Sequence, residues 1–203
     1  KKFWEMYPAR FRGRYIYIPD SPKNYSEIDV MSDYFTEEPR IKSEGFGETI
    51  SPYDFWNGNR IKMIEKLVDE KKDLTLENYR DIVFVSIKEA RQGKITNYYS
   101  LYDFFQAENI LDPASAWGDR LIAALAYGAN YVGIDPNPDL TKGYTEIINT
   151  FSGYNSRSRR KENEKKENEN KKRDKHAIYE MIRSGFENAN VPKIGYDFCL
   201  ISP

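Results

Sequence analysis

An α/β domain built on a parallel sheet is the fold class this sequence predicts, and three observations predict it. From residue 108 onward, short apolar runs alternate with helix-length segments. Two of those runs, in "NILDP" and "NYVGIDP", are nearly continuous apolar stretches that each end in Asp-Pro, as strands covered on both faces do. The segment between them, "GDRLIAALAYG", has helical composition and is bounded by glycine at both ends. Alternating strand and helix in this order is the pattern of a parallel sheet.

The elements follow in order. Residues 1–50 are rich in Tyr, Pro, Gly and Arg and hold no sustained period, which predicts irregular structure with one or two short strands, one around "RYIYIP". In "FWEMYPARFRGRYIYIP", Arg10, Arg12 and Arg14 alternate with Phe3, Trp4, Tyr7, Phe11 and Tyr15. Arginine among aromatics suits single-stranded nucleic acid, and it equally suits an ordinary packed N-terminus. Residues 51–73 predict a helix with Ser51 as N-cap and Pro52 at its first position, where the missing N–H is harmless. Phe55, Trp56, Ile61, Ile64, Leu67 and Val68 recur there at helical spacing. A second helix is expected from Thr75-x-x-Asn78, which approximates a cap, as far as Gly93, and a third over residues 96–107. Beyond the first two strands, residues 137–153 read as a helix ending in Gly153, "AIYEMIRSGFE" as a third strand and "YDFCLIS" as a fourth. Residues 1–95 thus form an irregular and helical cover region, and 96–203 the α/β core.

Within the core lies a charged insertion, 154–176. Residues 156–175 hold ten Lys/Arg against five Asp/Glu, about +5 in a chain whose net charge is −1. Such a segment lacks the apolar surface to fold alone and reads as a solvated loop or frayed helix. It could also meet a phosphate backbone. One cysteine, Cys199, leaves neither a disulfide framework nor a cysteine-built zinc site, and one histidine, His176, argues against a His-based triad. The chain has no run of 18 apolar residues and no apolar signal core at its start. These features point to an intracellular, cytoplasmic protein with no membrane partner.

The chemistry is expected at the carboxyl ends of the strands, where open parallel sheets bind ligands. Asp112 ends the first strand, and Ala114, Ser115, Ala116, Trp117 and Gly118 lead into a helix whose first N–H groups are unbonded. The small residues there let a ligand approach the backbone. Asp135, followed by Pro136, ends the second strand 23 residues after Asp112. An ionised carboxylate is acceptor-only and can take both hydroxyls of a ribose. The loop lacks G-x-G-x-x-G, and Asp112 and Asp119 disfavour a pyrophosphate while suiting an ammonium. A ligand with both a cationic amine and a ribose fits best, and S-adenosylmethionine has both.

"ILDPASAWGDRLIAALAYGANYVGIDPNPDL" resembles the first two motifs of the S-adenosylmethionine-dependent, Rossmann-like methyltransferase fold, especially the phage and virus-type DNA amino-methyltransferases. Their loop runs Asp-Pro-x-x-Gly-Trp-Gly-Asp-Arg, and here Ala116 replaces the first glycine. "SGFENANVP" is similar to the third motif, which implies that Phe186 and Glu187 flank the adenine. "YDFCLISP" resembles the fourth, Asp-apolar-Ser-Pro-Pro-aromatic, which implies that Ser202 and the carbonyl of Pro203 accept hydrogen bonds from an exocyclic amino group and aim its nitrogen at the sulfonium methyl. "TNYYSLYDFF" sits where such enzymes place a helix over the methionine end.

The resemblance implies a seven-strand sheet ordered 3-2-1-4-5-7-6, of which this sequence supplies the first four. Either a longer chain or a covering partner chain would complete the edge, and the chain as given would be incomplete for catalysis. The implied activity is methyl transfer to adenine or cytosine in nucleic acid, with DNA favoured and no metal needed. The implied location is the host cytoplasm or virion. The alternatives are a degenerate fold serving as a binding or virion-structural protein, and an RNA or protein amide methyltransferase.

Overall fold

The structure is a computed structural model that describes the backbone of residues 6–11, 14–19, 28–44, 50–87, 90–152 and 177–201. The charged insertion, Gly153, Ser202 and Pro203 lie outside the described residues. By its contacts the chain divides into two compact units, residues 1–36 with 92–203, and residues 37–91. The second unit lies inside the stretch read from sequence as one cover region, while the first 36 residues group with the sheet.

The first unit opens on an antiparallel ribbon of β1 (Met6–Phe11) and β2 (Arg14–Pro19). The strand expected at "RYIYIP" is there, paired with a second short strand. Pro8 within β1 is tolerated because a two-strand ribbon offers edge positions that need no ladder N–H. Helix α1 (Asp33–Lys42) runs out of this unit.

The second unit pairs α2 (Pro52–Asp69) with α3 (Leu76–Ser86). The α2 start is as its sequence predicts: the Ser51 hydroxyl accepts the Asp54 N–H at 3.1 Å and Pro52 opens the helix. Met63, Leu67 and Ile82 form the buried centre, and Trp56 meets Tyr79 edge-on at 5.4 Å. Thr75 caps α3 through the Asn78 N–H, but the helix stops at Ser86, well before Gly93. Ile87 is extended (φ −134°, ψ 156°). The run "IVFVSI" that leads to it is rich in β-branched residues, which are weak helix formers.

The first unit resumes at α4 (Ile95–Phe105), which Gln106 terminates in the left-handed conformation. Then come β3 (Asn109–Asp112), α5 (Asp119–Tyr127), β4 (Asn130–Ile134), a 3-10 turn (Pro138–Leu140), α6 (residues 141–152), β5 (Tyr179–Ile182) and β6 (Phe198–Cys199). The last four strands form one parallel sheet in the order β5-β4-β3-β6. This α/β architecture is the predicted class.

Helix α5 stands between Gly118 (φ +91°) and Gly128 (φ +86°), both in the left-handed region that glycine enters freely. Its Ala- and Leu-rich body buries Leu121, Ile122, Ala123, Ala124 and Leu125 against Tyr102, Ile110, Tyr131 and Ile147. Full burial of each Leu contributes about 1.5–3 kcal/mol. At the opposite end of the strands a polar ladder sets the register. The Asp197 carboxylate accepts the N–H groups of Glu108 and Asn109 at 3.1 Å. Asn130 donates to Asn109 Oδ1 at 2.7 Å and accepts the Ile178 N–H at 2.8 Å. A one-residue slip would lose these bonds and turn every side chain to the wrong face. Among the described residues no helix is long and apolar enough to cross a membrane.

Candidate functional site at the carboxyl ends of the strands

The two Asp-Pro turns stand side by side, because β3 and β4 are neighbours with Asp112 opposite Gly133. Their carboxylates do different things. Asp112 has no exposed surface. Its Oδ1 accepts Arg120 Nη1 at 2.8 Å and the Ala114 N–H at 3.3 Å, and its Oδ2 accepts the Tyr131 hydroxyl at 2.6 Å. The same Arg120 nitrogen donates to the Ala114 carbonyl at 2.7 Å, and the guanidinium lies over the Tyr98 ring. Burial pushes the Asp112 carboxyl up, against the pull of Arg120 and Tyr131. The negative charge expected to greet a ligand ammonium is therefore internally compensated and sealed from solvent. Asp112 instead pins the turn that follows it.

That turn, residues 113–118, folds back over β4. The Ser115 N–H donates to the Ile134 carbonyl at 3.0 Å, and the Ser115 side chain is buried beside Tyr131. A Cβ on Gly133 would lie 2.4 Å from Ser115 Oγ and 2.7 Å from Met181 Sδ, so only glycine lets the turn sit this close. Ala116 is left-handed (φ +51°), the conformation for which glycine is the usual residue. Its N–H donates to Asp135 Oδ2 at 2.9 Å, and its carbonyl accepts the Tyr144 hydroxyl. Trp117 is half-buried against the core, and its carbonyl accepts Thr36 Oγ1 at 2.7 Å. Asp119 is buried rather than offered to a ligand. Its carboxylate takes the Ser32 hydroxyl and, at 2.9 Å, the Gly93 N–H. Ala114 and Pro136 are exposed.

Asp135 is half-buried and faces a cleft of about 170 Å³. Asn137, Tyr144, Ile148, Met181, Ile182 and Arg183 share the lining. Each Asp135 oxygen accepts one backbone N–H, from Ala116 and from Asn137, both at 2.9 Å. A carboxylate offers about four lone-pair sites, so acceptor capacity remains beyond these two bonds and the neighbouring Tyr144 hydroxyl. Burial raises the Asp135 carboxyl, opposed by the N–H groups of Asn137 and Ala116 and by Tyr144.

Phe186 and Glu187 lie on a short 3-10 turn (Phe186–Asn188) after β5, exposed and away from that lining. Ile182, the last residue of β5, and Arg183 after it belong to the lining. Tyr131 and Tyr144 carry no motif and were missed, as was Asp29, which ties the N-terminal segment to α4; Arg120 closes the Asp-Pro-x-x-Gly-Trp-Gly-Asp-Arg loop but had no role assigned from sequence. Comparison of the chain with family models, with curated proteins and with solved structures finds no match in any of the three.

Proposed function

We propose that this chain is the S-adenosylmethionine-binding core of a methyltransferase that acts on an exocyclic amino group of a nucleic acid base, adenine or cytosine, in DNA rather than RNA. The observation that carries the reading is the position of Asp135. It ends a strand beside the strand that ends in Asp112, borders a cleft, and keeps acceptor capacity while holding the intervening turn through Ala116. The strand order supports it too. Numbered from β3, the sheet reads 3-2-1-4, the opening of the order that the resemblance implies.

When bound, S-adenosylmethionine supplies an activated methyl on a sulfonium. The chain's own residues would hold it at two places. Asp135 would accept the ribose hydroxyls, and Ile182 would lay an apolar surface beside the adenine. Asp112 would act by fixing the turn between Pro113 and Gly118. Ser202 and Pro203 would receive the acceptor amine, leaving its lone pair directed at the methyl. Catalysis of this kind is positioning and electrostatics without a covalent intermediate, and the base must leave its stack to reach the site.

A second reading, a methyltransferase-like fold kept as a binding protein, draws on the closure of Asp112. Transfer separates the two. Incubation of the chain, supplied with the remaining strands that the resemblance implies, with methyl-labelled S-adenosylmethionine and oligonucleotides containing unpaired adenine or cytosine should label the exocyclic nitrogen of one base. Binding of the cofactor with no label in any base, RNA or protein acceptor would favour the binding protein.

A further inference from the structure

The helical unit of residues 37–91 plays no part in the site above, and it leaves much of its apolar surface open. Its buried centre is Met63, Leu67 and Ile82. A different face of α2 is apolar as well: Ile61 is 72% exposed, Ile64 37% and Val68 59%. Spacings of three and four residues put these side chains in one stripe. At 3.6 residues per turn the stripe lies about 110° around the helix from Met63 and Leu67. A small unit with so few buried side chains gains from covering such a stripe. Written as heptads, Ile61 and Val68 take position a and Ile64 position d, so Arg60 falls at g and Glu65 at e, one on each flank. Both are exposed, and among the described residues neither forms an ion pair. At Gly58, the e position one heptad earlier, an added Cβ would touch nothing, and Asn57, Ile61, Lys62 and Glu65 line an open notch there.

We propose that the Ile61–Ile64–Val68 face of α2 binds the same face of a second copy of this chain, with the two helices parallel. Charge complementarity selects this occupant. In a parallel pair each g residue faces the e residue five positions later on the other helix. Arg60 therefore meets Glu65 of the second copy, twice by symmetry. The antiparallel arrangement sets like flanks together, Glu65 against Glu65. One chain thus carries both halves of the charge pair, at the spacing that a parallel pair needs. The notch at Gly58 leaves room for a side chain of the second copy beside the stripe. A contact of this size suits a dimer that exchanges with monomer rather than a permanent one. The inference does not rest on the transferase reading: it requires no cofactor.

The test is sedimentation equilibrium of the full chain from micromolar to millimolar concentration, without S-adenosylmethionine. The expected result is a monomer–dimer equilibrium. Ile61→Ala should weaken it roughly tenfold, the loss of a buried aliphatic side chain from the contact. Arg60→Glu and Glu65→Arg should each weaken it several-fold by setting like charges together, and the two changes combined should restore it. High salt should shrink these charge effects, since exposed charges are screened. Orientation has its own readout. In a Cys199→Ser background, which removes the exposed native thiol, Asn57→Cys occupies a d position. Mild oxidation should join two such copies by a disulfide when the helices run parallel. Circular dichroism establishes that each variant is folded. Should one not fold, the wild-type titration and the charge exchange carry the test. A chain monomeric throughout, a dimer that Ile61→Ala and the charge reversals leave unchanged, or a dimer without the Asn57→Cys crosslink overturns the proposal.

Discussion

Arg120 donates to Asp112 at 2.8 Å in a place where the two side chains are 6% and 0% exposed, and the Tyr131 hydroxyl closes the other carboxylate oxygen. This buried pair holds β3, the following turn and α5 in one arrangement. Removing one partner of such a pair leaves an uncompensated charge in the interior and costs about 3–5 kcal/mol. Arg120→Met and Asp112→Ala should each lower unfolding free energy by that amount in urea titration. The double variant should lose much less than the sum, because the members act as a unit. Simple additivity would show that the pair is not coupled.

The left-handed turn offers a second check. Ala116→Gly should stabilise the chain by about 1 kcal/mol, since it relieves an unfavourable backbone conformation, which is about 2–4 °C in Tm at this size. Gly118→Ala should do the reverse, by about 1–3 kcal/mol. Its φ is +91°, and the added Cβ would come within 2.7 Å of Ile147 Cδ1. Calorimetric scans of both variants decide whether this turn has the geometry described.

The start of α4 is capped from a distance. Lys94, its N-cap residue, makes no side-chain capping hydrogen bond. Asp29 Oδ1 accepts the Thr96 N–H at 3.0 Å and the Thr96 hydroxyl at 2.9 Å instead. Asp29→Ala should cost about 1–2 kcal/mol, as loss of a cap does, and Asp29→Asn should recover most of it. Equal losses in the two variants, measured by urea unfolding, would mean that the carboxylate charge, not the cap, matters.

These cases mark what was legible in the sequence. The α/β alternation from residue 108, the Ser51 cap and the glycine stops of α5 were readable because each rests on local chemistry: apolar periodicity, a side-chain acceptor, positive φ. The true end of α3 at Ser86 was not, since β-branched residues weakened the helix before its glycine arrived. The closure of Asp112 was illegible for another reason. Arg120 and Tyr131 reach it only because α5 folds back onto the sheet and β4 pairs beside β3. Spacing marks a carboxylate at a strand end but not whether it faces solvent. Nor does spacing say which residues reach the cleft: β5 ends at Ile182, which lines it with Arg183, while Phe186 and Glu187 lie on the turn that follows.

The acid limb of stability should carry the signature of the two strand-end carboxylates. Asp112 and Asp135 both titrate above the ordinary value of 3.8, chiefly through burial. A carboxyl whose native pKa is raised binds more protons folded than unfolded between those two values. Its contribution to stability is thus greatest below 3.8 and is lost as pH rises through the native value. Asp135→Asn removes one such group, so the difference in unfolding free energy, variant minus wild type, should rise across that window. A flat difference would mean that Asp135 is not raised. Ligand binding runs the other way: ribose hydroxyls need an ionised acceptor, so affinity should fall as pH drops through the native Asp135 value.

The central claim is that Asp135 marks a cofactor site, and calorimetric titration with S-adenosylmethionine and S-adenosylhomocysteine, beside Asp135→Ala, tests it most directly. The account predicts binding of both ligands by the wild type, weakened in the variant by about 1.5–3 kcal/mol, the scale of hydrogen bonds to a charged group. No heat of binding from a folded wild-type chain, or equal affinity in wild type and Asp135→Ala, would contradict it and leave the two Asp-Pro turns as parts of the scaffold.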